Sequence, residues 1–137
     1  MNKKGPILFV DDDEDDWEIL KNVFEDLQFN NELIFLKDGE EALEMLNTMR
    51  VEPFIIFSDL RLPKLTGMKL WEKVNENKAL RIKMIPFVFF TTIADHKNVL
   101  TAFEESVQGF FIKPHNYKDL KVLMHTIMSY WEKSLSP

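Results

Sequence analysis

The chain has 137 residues and no cysteine, which suits one compact domain and excludes disulfides, thiol catalysis and cysteine-ligated metals. Its net charge of −6 comes from 23 acids against 17 bases, and residues 11–16, DDDEDD, hold the whole surplus; outside them 17 acids face 17 bases. No broad basic field is present to hold nucleic acid or an anionic membrane, and the longest apolar run, residues 85–90, is far below a membrane span.

The first predicted element is a strand at 7–10, ILFV, too short for a secretory core, so a soluble, cytoplasmic domain is expected. The acidic run follows it, and then a helix whose apolar positions Trp17, Leu20, Val23, Phe24 and Leu27 fall at helical spacing. A second strand, LIFL at 33–36, leads into a helix marked by Ala42, Met45, Leu46 and Met49. FIIF at 54–57 predicts a third strand, and Leu70, Trp71 and Val74 a weaker helical stripe behind it. FVFF at 87–90 is the fourth strand, followed by a stripe of Val99, Leu100, Phe103 and Val107. The fifth pair is FFI at 110–112 and a helix carrying Leu120, Leu123, Met124, Ile127, Met128 and Trp131.

These strand runs are continuous rather than alternating, as in parallel strands covered on both faces. Five β-α repeats therefore predict an α/β domain with a parallel sheet and right-handed crossovers. No repeat, linker or low-complexity tract interrupts it, and the expectation is one domain over residues 1–137 with no output domain.

In such a sheet, ligands gather beyond the carboxyl ends of the strands. There the sequence sets Asp11 and Asp12 after strand one, Asp59 after strand three, Thr91 and Thr92 after strand four, and Lys113 after strand five. Carboxylates brought together repel unless a cation sits among them, and hard oxygen donors without His or Cys favour Mg²⁺. The lysine and threonine beside them suit an anionic phosphoryl group, with one carboxylate as nucleophile.

The segments ILFVDDDED, IIFSDLRLPKLTGMKL, PFVFFTT and GFFIKP, in this order and spacing, resemble the receiver domain of bacterial two-component response regulators. The resemblance covers residues 6–132 and implies a flavodoxin-like, doubly wound sheet of order 2-1-3-4-5 with five helices. It also implies Asp59 as phosphoacceptor, with Pro63 and Gly67 shaping the loop behind it, and Asp11 and Asp12 as Mg²⁺ ligands. Asp59 itself and the backbone carbonyl of Arg61 would complete the metal set. Thr91, the backbone of Thr92 and Lys113 would bind the phosphoryl group, while Thr91 and Phe110 would form the conformational switch. Pro114 would follow a cis bond that aims the lysine. The implied partners are a sensor histidine kinase or phosphotransfer protein and, on the output side, a downstream protein target or a second copy of the chain, without nucleic acid or membrane. The signal would leave through the fourth helix, fifth strand and fifth helix, and such domains are not normally classed as enzymes, though they aid their own phosphorylation and slow dephosphorylation.

Three residues depart from the family pattern: Thr92 where Ala or Gly is usual, a long Arg61, and Phe110 in place of Tyr. Thr92 and Arg61 are expected to shield an acyl phosphate from water. A haloacid-dehalogenase-like phosphatase, with Asp11 as nucleophile and Asp13 completing its DxD, is the rival. Asp15 stands where that family has Thr or Val, no acid pair follows Lys113, and no cap segment is seen. A receiver-like binding module that works without phosphorylation is the third reading. An EF-hand fails, since Asp16 replaces its Gly and Asn22 its Glu. The remaining acids, Asp13 to Asp16, read as solvated charge at the start of a helix. His96, His115 and His125 lack metal spacing, and Trp17, Trp71 and Trp131 read as core.

Overall fold

The computed structural model describes residues 1–92 and 96–135, with His96 through its backbone alone. Five strands, β1 (Ile7–Val10), β2 (Leu33–Leu36), β3 (Ile55–Ser58), β4 (Phe87–Thr91) and β5 (Gly109–Ile112), form one parallel sheet in the order β2-β1-β3-β4-β5. Between and after them run α1 (Glu14–Asp26), α2 (Gly39–Thr48), α3 (Gly67–Glu76), α4 (Lys78–Arg81), α5 (His96–Glu104) and α6 (Tyr117–Lys133).

Alternation along the strands divides the core into two layers. Leu8, Val10, Ile56, Phe87 and Phe89 face α2, α3 and α5, where they meet Ala42, Leu46, Leu70, Trp71 and Ala102. Ile7, Phe9, Ile55, Phe57, Val88 and Phe90 face the opposite way, toward α1 and α6, against Leu20, Val23, Phe24, Leu120, Met124 and Ile127. Both strand faces are thus buried, which is why the runs read as unbroken apolar sequence. Four helix starts are fixed locally: Asp13, Asp38, Thr66 and Asn116 cap α1, α2, α3 and α6 by accepting backbone N–H bonds.

Two elements differ from the sequence expectation. The extra helix α4 is a single turn, capped by Asn77, too short to display a period. Helix α5 ends at Glu104, so Val107 is buried beyond it, and the helix packs through Ala102 while Leu100 and Phe103 remain about half exposed. A small residue at the contact brings the helix close, and its larger neighbours are left on the free face. Of the three tryptophans, Trp71 is buried, whereas Trp17 and Trp131 are half-buried. No helix among the described residues is long and apolar enough to cross a membrane.

Candidate functional site

The chain leaves β1 toward β2 on one side and later returns to β3 on the other, so a crevice opens above the β1 and β3 ends. Asp11 and Asp59 are the first residues past those two strands, and backbone bonds extend the ladder through them: Asp11 N donates to Leu36 O and Asp59 N to Val10 O, both at 2.9 Å. Their side chains are therefore set by the sheet rather than by a loose loop.

Lys113 reaches the same point from the end of β5. Its backbone N donates to Thr91 O at 2.7 Å, which prolongs the β4–β5 pairing by one residue. Its ammonium donates to Asp11 Oδ2 at 2.7 Å, Asp16 Oδ2 at 2.8 Å and Asp59 Oδ2 at 3.2 Å, and it lies 5.7 Å from the centre of the Phe90 ring. The other oxygen of Asp59, Oδ1, accepts from Thr91 Oγ1 at 2.8 Å and, weakly, from Arg61 N at 3.4 Å. Asp11 Oδ1 accepts from Asp13 N, and the carbonyl of Asp11 accepts from Trp17 Nε1, both at 2.9 Å.

Asp11, Thr91 and Lys113 are buried, Asp59 is partly buried, and Asp12, Arg61 and Thr92 are exposed. Three carboxylates thus share one ammonium in a confined volume. Burial pushes the Asp11 carboxyl up to about 6, against the pull of Lys113. Burial would draw Lys113 down, but its hydrogen bonds to Asp11 and Asp16 outweigh that and hold it above the ordinary lysine value.

Several expected placements are met and others are not. Asp11, Asp59, Thr91 and Lys113 come together, and Phe110 sits apart, half-buried against the Phe89 ring at 5.6 Å on the α5 side of the sheet. The bond between Lys113 and Pro114 is trans, as no cis peptide occurs among the described residues. The aim of the lysine comes instead from its strand-like backbone bond and its three carboxylate partners. Asp16, read from sequence as solvated, is a direct partner of that lysine. The signal was present, since Asp16 lies four and seven residues before Leu20 and Val23, on the buried stripe of α1.

The donor set suits a hard divalent ion in chemistry and in charge: oxygen ligands, and three acids against one ammonium. Among the described residues, however, no three acids are arranged to hold a metal ion: the three that converge do so around the Lys113 ammonium, and Asp12 faces solvent. An ion ligated by Asp11 Oδ2 would therefore sit beside the Lys113 ammonium and be repelled by it.

The profile of the response regulator receiver domain matches residues 7–125. The chain is 31% identical over 129 residues to the probable methanogenesis regulatory protein FilR2 of Methanothrix harundinacea, covering 91% of this chain and 82% of the relative. It is 30% identical to the response regulator Rcp1 of Synechocystis sp., covering 98% of this chain and 94% of that protein. The crystal structure of the Mn²⁺-bound form of Rcp1 superposes with a TM-score of 0.82 over 97% of both chains at 30% identity. The response regulator RPA3017 of red light signalling in R. palustris gives a TM-score of 0.86 at 22% identity over 96% of both chains, a likeness of fold.

Proposed function

The chain belongs to the response regulator receiver domain family, and on that premise we propose that Asp59 accepts a phosphoryl group from a phosphohistidine of a sensor kinase or phosphotransfer protein. The observation that carries this reading is the meeting of Asp59 with Thr91 and Lys113, three residues distant in sequence, at the ends of three strands. A carboxylate oxygen of Asp59 forms the new P–O bond as the P–N bond of the donor breaks, and the imidazole leaves neutral, keeping the proton on its other nitrogen. Lys113 then neutralises the phosphoryl oxygens and the Thr91 hydroxyl donates to one of them. The backbone of Thr92 adds a further donor beside it.

Asp11, Asp12, Asp59 and the carbonyl of Arg61 would hold Mg²⁺, which supplies neutralisation of the charge that builds on the transferring group. The divalent ion in the related Rcp1 crystal structure supports that choice. The residues do the rest by position, because a transfer of this kind asks chiefly for alignment and charge compensation. Slow loss of the phosphoryl group to water would reset the domain.

The output is a change in the surface made by α5, β5 and α6. Thr91 moves toward the phosphoryl group, and Phe110, packed on Phe89 in the next layer, follows it. Leu100, Phe103 and Ile112 on those elements are 51%, 54% and 48% exposed, apolar area that suits a protein target or a second copy of the chain.

The test is chemical. Incubation with acetyl phosphate and Mg²⁺, followed by borohydride trapping and peptide mass spectrometry, is expected to mark Asp59. Labelling of Asp11 would instead support the phosphatase reading, and no labelled aspartate would support binding without phosphorylation.

A further inference from the structure

The ammonium of Lys113 has one partner that the phosphoryl-transfer scheme leaves without a task. Asp16 receives it at 2.8 Å, close to the 2.7 Å of Asp11 and shorter than the 3.2 Å of Asp59. The two strand-end carboxylates are drawn into the chemistry: one becomes the acceptor and the other a metal ligand. Asp16 belongs to α1 instead, one turn in from the Asp13 cap, and its backbone N donates to Asp13 O at 3.1 Å. It is fixed to a helix that packs against α6, and its side chain keeps 28% of its surface exposed.

We propose that Asp16 is a positioning residue that keeps Lys113 paired and aimed into the crevice when Asp11 is given over to a divalent cation. The inference rests on the receiver reading above. Each oxygen of Asp11 already accepts one hydrogen bond, from Asp13 N and from Lys113, so an ion loaded on this carboxylate competes with the ammonium for Oδ2 and repels it. With Asp16 in place, an ammonium pushed back from Oδ2 keeps a charged partner on a rigid element. Without it, Asp11 and Asp59 are the only carboxylates of the trio left to the ammonium, and Lys113 competes harder with the ion for Asp11. The same tether then holds the ammonium beside Asp59, where the incoming phosphoryl oxygens are to be met.

The experiment is a Mg²⁺ titration followed by tryptophan fluorescence, since the Trp17 indole donates to the carbonyl of Asp11. Asp16→Asn is expected to weaken Mg²⁺ binding roughly threefold to tenfold, less than the full worth of a charge-assisted hydrogen bond because the amide oxygen still accepts from Lys113. In a Lys113→Met background the same substitution is expected to change the affinity less than about twofold, because the tether has nothing to hold. An unchanged affinity in the Asp16→Asn variant, or an equal loss in both backgrounds, overturns the proposal; the latter would mean that Asp16 acts on the ion through its field alone. If Lys113→Met does not fold, reductive methylation at saturating Mg²⁺ decides: Asp16→Asn must speed labelling of Lys113 and leave the surface lysines unchanged, and an unaltered rate sinks the idea. A wild-type chain that neither responds to Mg²⁺ nor takes up phosphoryl groups at Asp59 overturns the receiver reading, and this inference with it.

Discussion

Gly67 opens α3 hard against the backbone that carries Asp59. A Cβ built there would lie 2.1 Å from Asp59 O, 3.0 Å from Leu60 Cα and 3.0 Å from Phe89 Cε1. Ordinary contact begins at 3.4 Å, so Gly67→Ala must part the helix start and the strand end by more than 1 Å. Two of the three obstructing atoms are backbone, which cannot swing aside as a side-chain tip can. The shift would also strain the bond from Gly67 N to Leu60 O, now 2.9 Å. Overpacking of this kind costs about 1–3 kcal/mol and a lost backbone bond about 1 kcal/mol, while the better helix propensity of alanine returns up to about 1 kcal/mol. The net loss is about 1–4 kcal/mol, which for a chain of this length lowers Tm by about 3–14 °C. The crowded carbonyl belongs to the residue whose carboxylate meets Thr91 at 2.8 Å and Lys113 at 3.2 Å. A displacement near 1 Å should therefore slow phosphoryl uptake from acetyl phosphate on the order of tenfold to a hundredfold. Thermal unfolding followed by circular dichroism, with phosphoryl uptake measured below Tm, tests both numbers. A Tm equal to or above that of the wild type would refute the close-approach argument.

Asp11 makes a prediction in pH. Its folded-state pKa of about 6 stands above the ordinary 3.8, so ionising it inside the fold costs stability, by about 3 kcal/mol above pH 6. That cost is relieved as pH falls from about 6 toward 3.8. In EDTA, the unfolding free energy of the wild type relative to Asp11→Asn is expected to rise over that window; urea denaturation at pH 7, 6, 5 and 4 measures it, and a flat difference contradicts the burial argument. Thr92 and Arg61 are both exposed at the rim of the crevice, and if they shield the acyl phosphate, Thr92→Ala should shorten its lifetime several-fold, read from loss of label at Asp59. An unchanged or longer lifetime rejects that role.

The sheet was legible because its strands are buried on both faces. Each predicted run matches an observed strand to within a residue at either end, with β3 displaced by one toward Ser58. The chemistry at the strand ends was legible for the same reason: once the strands are known, Asp11, Asp59, Thr91 and Lys113 must emerge along one edge of the sheet. Side-chain direction within helices was harder to read. Leu100 and Phe103 fit a helical stripe as well as any pair in the chain, yet the packed residue is Ala102, because close approach of α5 selects for small size rather than for apolar bulk. Asp16 was hidden by its neighbours, since a carboxylate within six consecutive acids reads as solvated charge until the helix phase separates it from Glu14 and Asp15, which are exposed. The bond before Pro114 is trans, the ordinary preference of an X-Pro bond, where the resemblance implied cis.

The acidic run therefore holds two kinds of charge that composition cannot tell apart. Glu14 and Asp15 face water on the first turn of α1, where they complement the helix dipole at little cost. Asp11 and Asp16 converge on Lys113, and Asp59 joins them from β3, leaving an excess of negative charge around one buried ammonium. A fold selected for stability alone would exchange such a cluster for apolar residues of similar volume, which commonly proves neutral or stabilising. Its position at the switch point of the sheet, where the backbone holds both Asp11 and Asp59 in ladder register, agrees with the proposed cation and phosphoryl site. The repulsion left unrelieved among the three carboxylates would favour the divalent ion proposed for this site, and Lys113 is the cation with which that ion would compete.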